Sequence, residues 1–293
     1  MRPGRAPSRL RLVADRDGPL LAFVVRRGGV SEELARAAIA RGGGFVNRRR
    51  VRDPETQVRS GDRVELALAP SAAVRLTRER ILHLDELVLV VDKPAGVAAQ
   101  EDLAGGPALP ELCSALLQEL GESQVTALLV HRLDRGTTGV TALARTRMAQ
   151  GALLAEFREH RARKRYLALV SPGPAADEGL VETPVAGRSA LTRWRVLERS
   201  GGAALIEATP ETGRTHQIRI HLGESGWPLL GDKAHGGSSF VTHPSGERHD
   251  LERPMLHALS LAVRHPAGGE LRVEAAVPAD FAAAQAFLRR VAR

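Results

Sequence analysis

The run His131-Arg132-Leu133-Asp134-Arg135-Gly136-Thr137-Thr138-Gly139-Val140 sets one carboxylate, Asp134, in a loop between two apolar segments and flanks it with arginines. If those segments are buried strands, the carboxylate lies in a cleft and not in open solvent. There it needs a cationic partner to stay ionised, since desolvation alone raises a carboxyl pKa. A partner-held, ionised Asp in a cleft is a candidate nucleophile or base. By residue type alone a turn or cap is the better reading of a loop Asp, so the surroundings have to decide.

Metal chemistry is not expected. His235, His243, His249, His257 and His265 follow one another at spacings of eight, six, eight and eight, with no i, i+4 ligand pair. Cys113 is the single cysteine, which excludes an intramolecular disulfide and a cysteine-based zinc site. In its apolar, helical surroundings it reads as a small buried hydrophobe. The formal net charge is +8, and the only lysines are Lys93, Lys164 and Lys233. A balance carried by arginine suits a polyanion, nucleic acid above all, although an arginine-preferring genome explains part of it. No apolar run is long enough to span a bilayer, and residues 1–18 lack the apolar core of a secretory signal. A cytoplasmic protein is expected.

Four segments are expected to position these groups. Residues 1–18, rich in Arg and Pro, read as a disordered basic arm. Residues 19–70 read as a small domain. It opens on an apolar run at 20–25 and a helix over 32–41, with Ser31 as N-cap and Glu32 and Glu33 in the first turn. Short strands follow around Asn47-Arg48-Arg49-Arg50, and a cleanly alternating strand lies at 64–68. Residues 71–80 are a linker. Residues 81–293 form a larger α+β domain, with strands at 87–91, 125–130, 140–144, 166–170, 193–197, 203–209 and 271–276. Its helices are expected at 107–120, at 147–161 and from Asp280 onward. The alternation of Ile218 and Ile220 with Arg219 and His221 predicts a further strand, with Arg219 and His221 on one face.

The Asp134 run resembles the signature of the RluA family of RNA pseudouridine synthases, and five more motifs follow the family's order. They are Asp92-Lys93-Pro94-Ala95-Gly96, Arg163-Lys164-Arg165-Tyr166-Leu167-Ala168-Leu169-Val170, Thr212-Gly213-Arg214-Thr215-His216-Gln217-Ile218-Arg219-Ile220-His221, Pro228-Leu229-Leu230-Gly231-Asp232 and Met255-Leu256-His257-Ala258. The resemblance implies an α+β fold: a mixed, largely antiparallel central sheet with flanking helices and a central active-site cleft. It implies isomerisation of uridine to pseudouridine in structured RNA, ribosomal RNA first and transfer RNA second, without a cofactor. Asp134 matches the catalytic aspartate, Arg219 the arginine paired with it, and Tyr166 the active-site tyrosine. Arg132 matches the arginine that enters the stack vacated by the target base, and His131 is expected to order the loop. Leu256 and His257 match the wall of the base pocket. Arg214 and Lys164 are expected at the RNA, with Arg161, Arg163 and Arg165 along its backbone path.

The segment from Gly44 to Val64 resembles an RNA-binding domain named after ribosomal small-subunit protein four, so residues 19–70 are expected to be a small α/β RNA-binding-type domain. Its helical half departs, with Ser31-Glu32-Glu33 where a basic start is usual. Two further departures lie in the larger domain: a short connection between Arg188 and Ala190, and His235 after Gly231-Asp232 where the family carries an aromatic residue. A monomer is expected, with no membrane association. The competing readings are a non-catalytic ribosome-assembly factor on the same fold, which has no need of Asp134, Tyr166 and Arg219 together, and a base-excising hydrolase, which would release free uracil.

Overall fold

The computed structural model describes residues 9–68, 75–100, 107–122 and 125–291. The chain divides into two compact units, one of residues 1–76 and 100–112, the other of residues 77–99 and 113–293.

In the first unit the elements run β1 (Arg9–Val13), β2 (Gly18–Pro19), α1 (Leu20–Gly28), α2 (Glu32–Ala38), β3 (Gly44–Val46), β4 (Arg49–Val51), β5 (Gln57–Val58) and β6 (Arg63–Ala67). The sheet order is β1-β6-β3-β4, every pair antiparallel. The apolar run at 20–25 is helical because Leu20, Leu21, Phe23 and Val24 recur at helical spacing and face the core with Ala35, Ile39, Val58, Val64 and Leu66. Ser31 caps α2 as expected, its Oγ accepting from the Leu34 N–H at 3.3 Å. That helix is shorter than expected: it ends at Ala38 in a π-turn, Ile39–Gly43, in which Gly42 takes φ 79°.

The basic arm is corrected in its second half. Arg9–Val13 is a strand, with Leu10 opposite Leu66 and Leu12 opposite Val64. Leu10 and Leu12 alternate with arginines, and that period of two lays an apolar edge against the small core. The first half of the arm, residues 1–8, residues 69–70 at the end of the expected small domain and residues 71–74 of the expected linker lie outside the described residues.

The second unit runs β7 (Ile81–Leu84), β8 (Val88–Lys93), α3 (Leu109–Glu119), which begins in the first unit, β9 (Leu128–Leu129), β10 (Thr138–Ala144), α4 (Arg147–Arg158), β11 (Arg163–Val170), β12 (Glu178–Val181), β13 (Thr192–Ser200) and β14 (Ala203–Pro210). It continues with α5 (Gln217–Glu224), β15 (Phe240–Thr242), β16 (Arg248–Asp250), β17 (Leu256–Arg264), β18 (Glu270–Glu274) and α6 (Ala279–Val291). Ten strands form one sheet, ordered β12-β13-β14-β11-β17-β10-β8-β7, with β18 beside β17 and β9 beside β10. The sheet is mixed but largely antiparallel, as expected. Its parallel pair is β10 with β17, where Thr138 meets His257 and Gly139 meets Ala258. Only glycine permits that approach: Gly139 has φ 110°, and a Cβ there would stand 2.2 Å from the Ala258 carbonyl oxygen.

α4 packs Ala149 and Leu153 against Val88, Val90, Val140 and Ala142. α5 packs Ile218 and Leu222 against Leu133, Tyr166, Ile206, Ala208 and Leu256. The strand expected at 218–221 is therefore a helix. Four alternating residues satisfy either period, and the i, i+4 pair Ile218 and Leu222, both buried, selects the helical one. Arg219 and His221 then point to nearly opposite sides instead of sharing a face.

Candidate active site

Asp134 sits in the loop that enters β10, and three anchors hold that loop. The Thr137 N–H donates to the Asp134 carbonyl at 3.0 Å, closing a turn. The Arg135 carbonyl accepts from the Gly96 N–H at 2.9 Å and from Lys93 Nζ at 3.3 Å. The buried Arg253 guanidinium, paired through two bonds with Asp280, donates to the Gly136 carbonyl at 3.3 Å. Lys93 is fully buried, and its Nζ also reaches the carbonyls of Val97 at 2.8 Å and Pro94 at 3.1 Å. Burial, partly offset by the nearby Asp134 charge, pushes its pKa down to about 7.

Arg219 comes from the first turn of α5. Its Nη1 donates to Asp134 Oδ2 at 3.2 Å, while Nε and Nη2 each donate to one oxygen of Asp232 at 2.7 Å. Arg219 is 8 % exposed and Asp232 1 %. Burial opposes the guanidinium charge, but the bonds and field of Asp232, and then of Asp134, outweigh it and raise the Arg219 pKa. The loop before α5 is ordered by buried Gln217, whose Oε1 accepts from Thr212 Oγ1 and the Arg214 N–H, and whose Nε2 donates to the Leu191 carbonyl and Thr192 Oγ1.

These residues face a cavity of about 500 Å³, within the roughly 300–1,000 Å³ common for small-molecule sites. His131, Arg132, Asp134, Lys164, Tyr166, Arg214, Arg219 and Leu256 all line it. The buried Tyr166 stands on β11. Burial first and the Asp134 charge second raise its pKa, so its hydroxyl stays protonated at neutral pH. His131 stacks on Phe157 with ring centroids 4.5 Å apart and accepts from the Ala142 N–H at 2.9 Å. Burial, with Lys164 nearby, pushes it down to about 3. Lys164 donates to the Thr212 carbonyl at 3.2 Å, and burial brings its pKa to about 8.

Some expectations change here. His257 does not line the cavity: its strand neighbour Leu256 does, and successive residues of a strand point to opposite sides. His257 is fully buried, with Nδ1 2.9 Å from Thr138 Oγ1. Arg163 and Arg165 likewise alternate with Lys164 and Tyr166 and are held by Glu270 and Glu207, and Arg161 by Glu156. None of the three lines the cavity, so any contact they make with the RNA backbone lies outside it. Asp232 and His216 are two site residues that the sequence did not single out. Both stand inside the family's motifs, but nothing in their spacing signals that Asp232 reaches Arg219 or that His216 borders Asp134.

One group among the described residues has its side chains close enough to hold a metal: His83, Asp85 and His265, with ligand atoms within 4.8 Å of one another. Asp85 is already engaged, Oδ1 by the Leu87 and Val88 N–H groups and Oδ2 by His83 Nε2 at 2.6 Å. His265 Nδ1 accepts from the Ala267 N–H, which leaves the ring proton on Nε2, 3.0 Å from Asp85 Oδ2. The cluster thus sets the β7–β8 turn against the β17–β18 turn without a free lone pair on that nitrogen, which makes no hydrogen bond. No helix among the described residues is long and apolar enough to cross a membrane.

A family profile described as RNA pseudouridylate synthase matches residues 87–224. An RNA pseudouridine synthase of Synechocystis, itself uncharacterised, is 32% identical over 268 residues, 81% of this chain and 79% of its own. Ribosomal large subunit pseudouridine synthase C of Escherichia coli is 32% identical over 276 residues, 84% of this chain and 85% of its own. Among solved structures, human RNA pseudouridylate synthase domain containing 4 aligns with a TM-score of 0.61 at 25% identity, over 72% of this chain and 93% of that one. With the largely antiparallel sheet and the Asp134 cavity, these likenesses agree on one assignment: the chain belongs to the RluA family of RNA pseudouridine synthases.

Proposed function

We propose that the chain isomerises uridines of ribosomal RNA, with Asp134 as the catalytic carboxylate, Arg219 as its cationic partner and Tyr166 as the floor on which the uracil stacks. One observation carries this reading: a single buried guanidinium spans Asp134 and Asp232 at the edge of a cavity large enough for a nucleoside.

The reaction breaks the bond between uracil N1 and the ribose, turns the base and rejoins it through C5, which loses its proton to solvent while N1 takes one up. The target nucleotide must leave the helical stack to reach the cavity. Asp134 acts at the sugar once the base has entered, and Arg219 holds the carboxylate in line by a charge-assisted hydrogen bond. Tyr166, kept neutral, offers a ring face for the detached base and a hydroxyl as hydrogen-bond donor instead of a phenolate. Exposed Arg132 at the rim supplies a planar guanidinium for the vacated stack. No step requires an external cofactor, because the overall change is an isomerisation.

The ribosomal substrate class is supported by the names of relatives such as the E. coli enzyme. The first unit is read as the RNA-binding module of the protein. Its β3–β4 turn supports this: Asn47 and Arg48 both take positive φ, and Arg48 and Arg49 are exposed.

The test is release of the C5 hydrogen from labelled, modification-free ribosomal and transfer RNA by the wild type and Asp134→Ala. Release from ribosomal RNA by the wild type alone, without free uracil, is expected. Release from transfer RNA only would reassign the substrate, and tight binding without release would favour an assembly factor.

A further inference from the structure

α5 and the 3₁₀ turn Lys233–His235 meet through two parallel pairs, and only one of them enters the proposed catalysis. Arg219 meets Asp232. One turn earlier, His216 meets His235, Nδ1 to Nε2 at 3.2 Å, with the rings edge to face at 88°. His216 lines the cavity, and its Nε2 lies 3.9 Å from Asp134 Oδ1, on the carboxylate oxygen that Arg219 does not hold. We propose that His235 is a positioning residue of this site: its Nε2–H fixes His216 in the tautomer that aims a second N–H at Asp134.

Proton placement between the two rings decides the matter. A neutral imidazole has one donor and one acceptor nitrogen, so a single proton lies between them. If His216 donated it from Nδ1, the Nε2 lone pair of His216 would face the Asp134 carboxylate, lone pair against anion. If His235 donates it, His216 Nε2 carries its proton toward Asp134, which is the attractive arrangement. The carboxylate therefore selects the tautomer, and His235 makes that tautomer available by supplying the donor. The charged and titratable groups acting on His216 are Asp134 and Asp232, which favour its cation, and Arg219 and His235, which oppose it. Burial also opposes the cation and is the largest influence, so His216 is a neutral donor at pH 7 and not a second fixed charge.

The surrounding backbone is shaped to this pair. His216 is a non-glycine residue at φ 58°, ψ 18°, a left-handed conformation that costs free energy and persists only where neighbours enforce it. The turn that carries His235 is seated directly on α5. A Cβ at Gly223 would stand 2.8 Å from the His235 carbonyl oxygen and 3.4 Å from its Cβ, so only glycine admits the turn at this distance. The His235 N–H donates to the Asp232 carbonyl at 3.1 Å, and the same short turn thereby delivers Asp232 to Arg219 and His235 to His216. The gap of 3.9 Å exceeds hydrogen-bond reach; catalytic contacts are often long without substrate and tighten once it is bound.

The inference rests on Asp134 being the catalytic carboxylate, and its test is built to fail separately. The full-length protein, labelled with ¹⁵N-histidine, gives the His216 tautomer from long-range ¹H–¹⁵N correlations, assigned by loss of its signals in His216→Gln. This measurement needs neither RNA nor activity. The wild type is expected to hold His216 as the Nε2–H tautomer. His235→Phe, which keeps a planar ring without a donor, should mix the tautomers and lower kcat about tenfold with KM for RNA unchanged. His235→Gln, whose Nε2 can stand in as donor, should restore both. A wild-type His216 protonated at Nδ1, or a His235→Phe variant with wild-type kcat, would overturn the proposal, as would loss of kcat that Gln does not rescue. If instead Asp134→Ala still releases the C5 hydrogen, the catalytic reading fails while the tautomer result stands by itself.

Discussion

Asp232, 1 % exposed, takes two of the donors of Arg219 and so leaves Nη1 as the one directed at Asp134. The contact proposed to serve catalysis is thus set by a residue that does not line the cavity. Asp232 fixes the plane of the guanidinium, and the plane fixes the angle at which Nη1 approaches the carboxylate.

Replacing Asp232 tests that relationship. Asp232→Asn keeps the shape but removes the charge opposing a buried arginine. Breaking one side of a buried ion pair costs about 3–5 kcal/mol. Urea denaturation should show a loss of that order, with kcat reduced in whatever fraction remains folded. A loss below about 1 kcal/mol would mean that solvent or Asp134 compensates for Asp232.

Arg219→Lys should separate charge from geometry. A lysine keeps the cation but offers a point charge in place of a fork, so it cannot serve both carboxylates in fixed directions. Single-turnover C5-hydrogen release should fall by roughly 10²-fold, the scale of losing one aligned catalytic donor, with RNA affinity retained. Wild-type turnover in this variant would show that charge alone suffices.

Lys93 predicts a particular pH profile of stability. Folding lowers its pKa from 10.5 to about 7. Between those values the unfolded chain holds the proton and the folded chain does not, so stability rises with pH across that window. Below about 7 both states are protonated and the penalty of the buried cation is fully present. The slope from this residue is at most about 1.4 kcal/mol per pH unit. Lys93→Met should be less steep than the wild type between pH 7 and 10 in urea midpoints, and parallel slopes would assign the window to other groups.

The hairpin turn of the first unit offers a test of its proposed role at the RNA. Arg48→Glu with Arg49→Glu should weaken ribosomal RNA binding and lower the dependence of log K on log salt by about one for each phosphate no longer neutralised. Release of the C5 hydrogen at saturating RNA should be unchanged. An unaltered salt dependence would place the phosphate-binding surface of this protein elsewhere.

How far the sequence is legible depends on how local each interaction is. Ser31 capping α2, the strand at Val88–Lys93 and the helix at Arg147–Arg158 are set by neighbours within a turn or a few residues, so spacing and residue type reveal them. The strand β17, at the centre of the sheet, leaves no such mark. It is buried along nearly its whole length, yet His257 and Ser260 interrupt its apolar residues, so it shows neither the continuous apolar run of residues 88–91 nor a clean alternation.

The sequence by itself determined the family, the order of the chemical motifs and the identity of Asp134 as the carboxylate to examine, because those reside in residue types along the chain. The resemblance already paired Arg219 with that carboxylate; tertiary structure decided how the contact is made and that Asp232 orients the cation. Arg219 lies 85 residues from Asp134 and 13 from Asp232, and only the packing of Ile218 and Leu222 into the core, which makes α5 a helix, turns it toward both. It also decided that Leu256 faces the cavity while His257 does not, and that His216 and His235 meet. Hydrogen bonds and ion pairs act over about 3–4 Å, and separation along a chain does not determine separation in space.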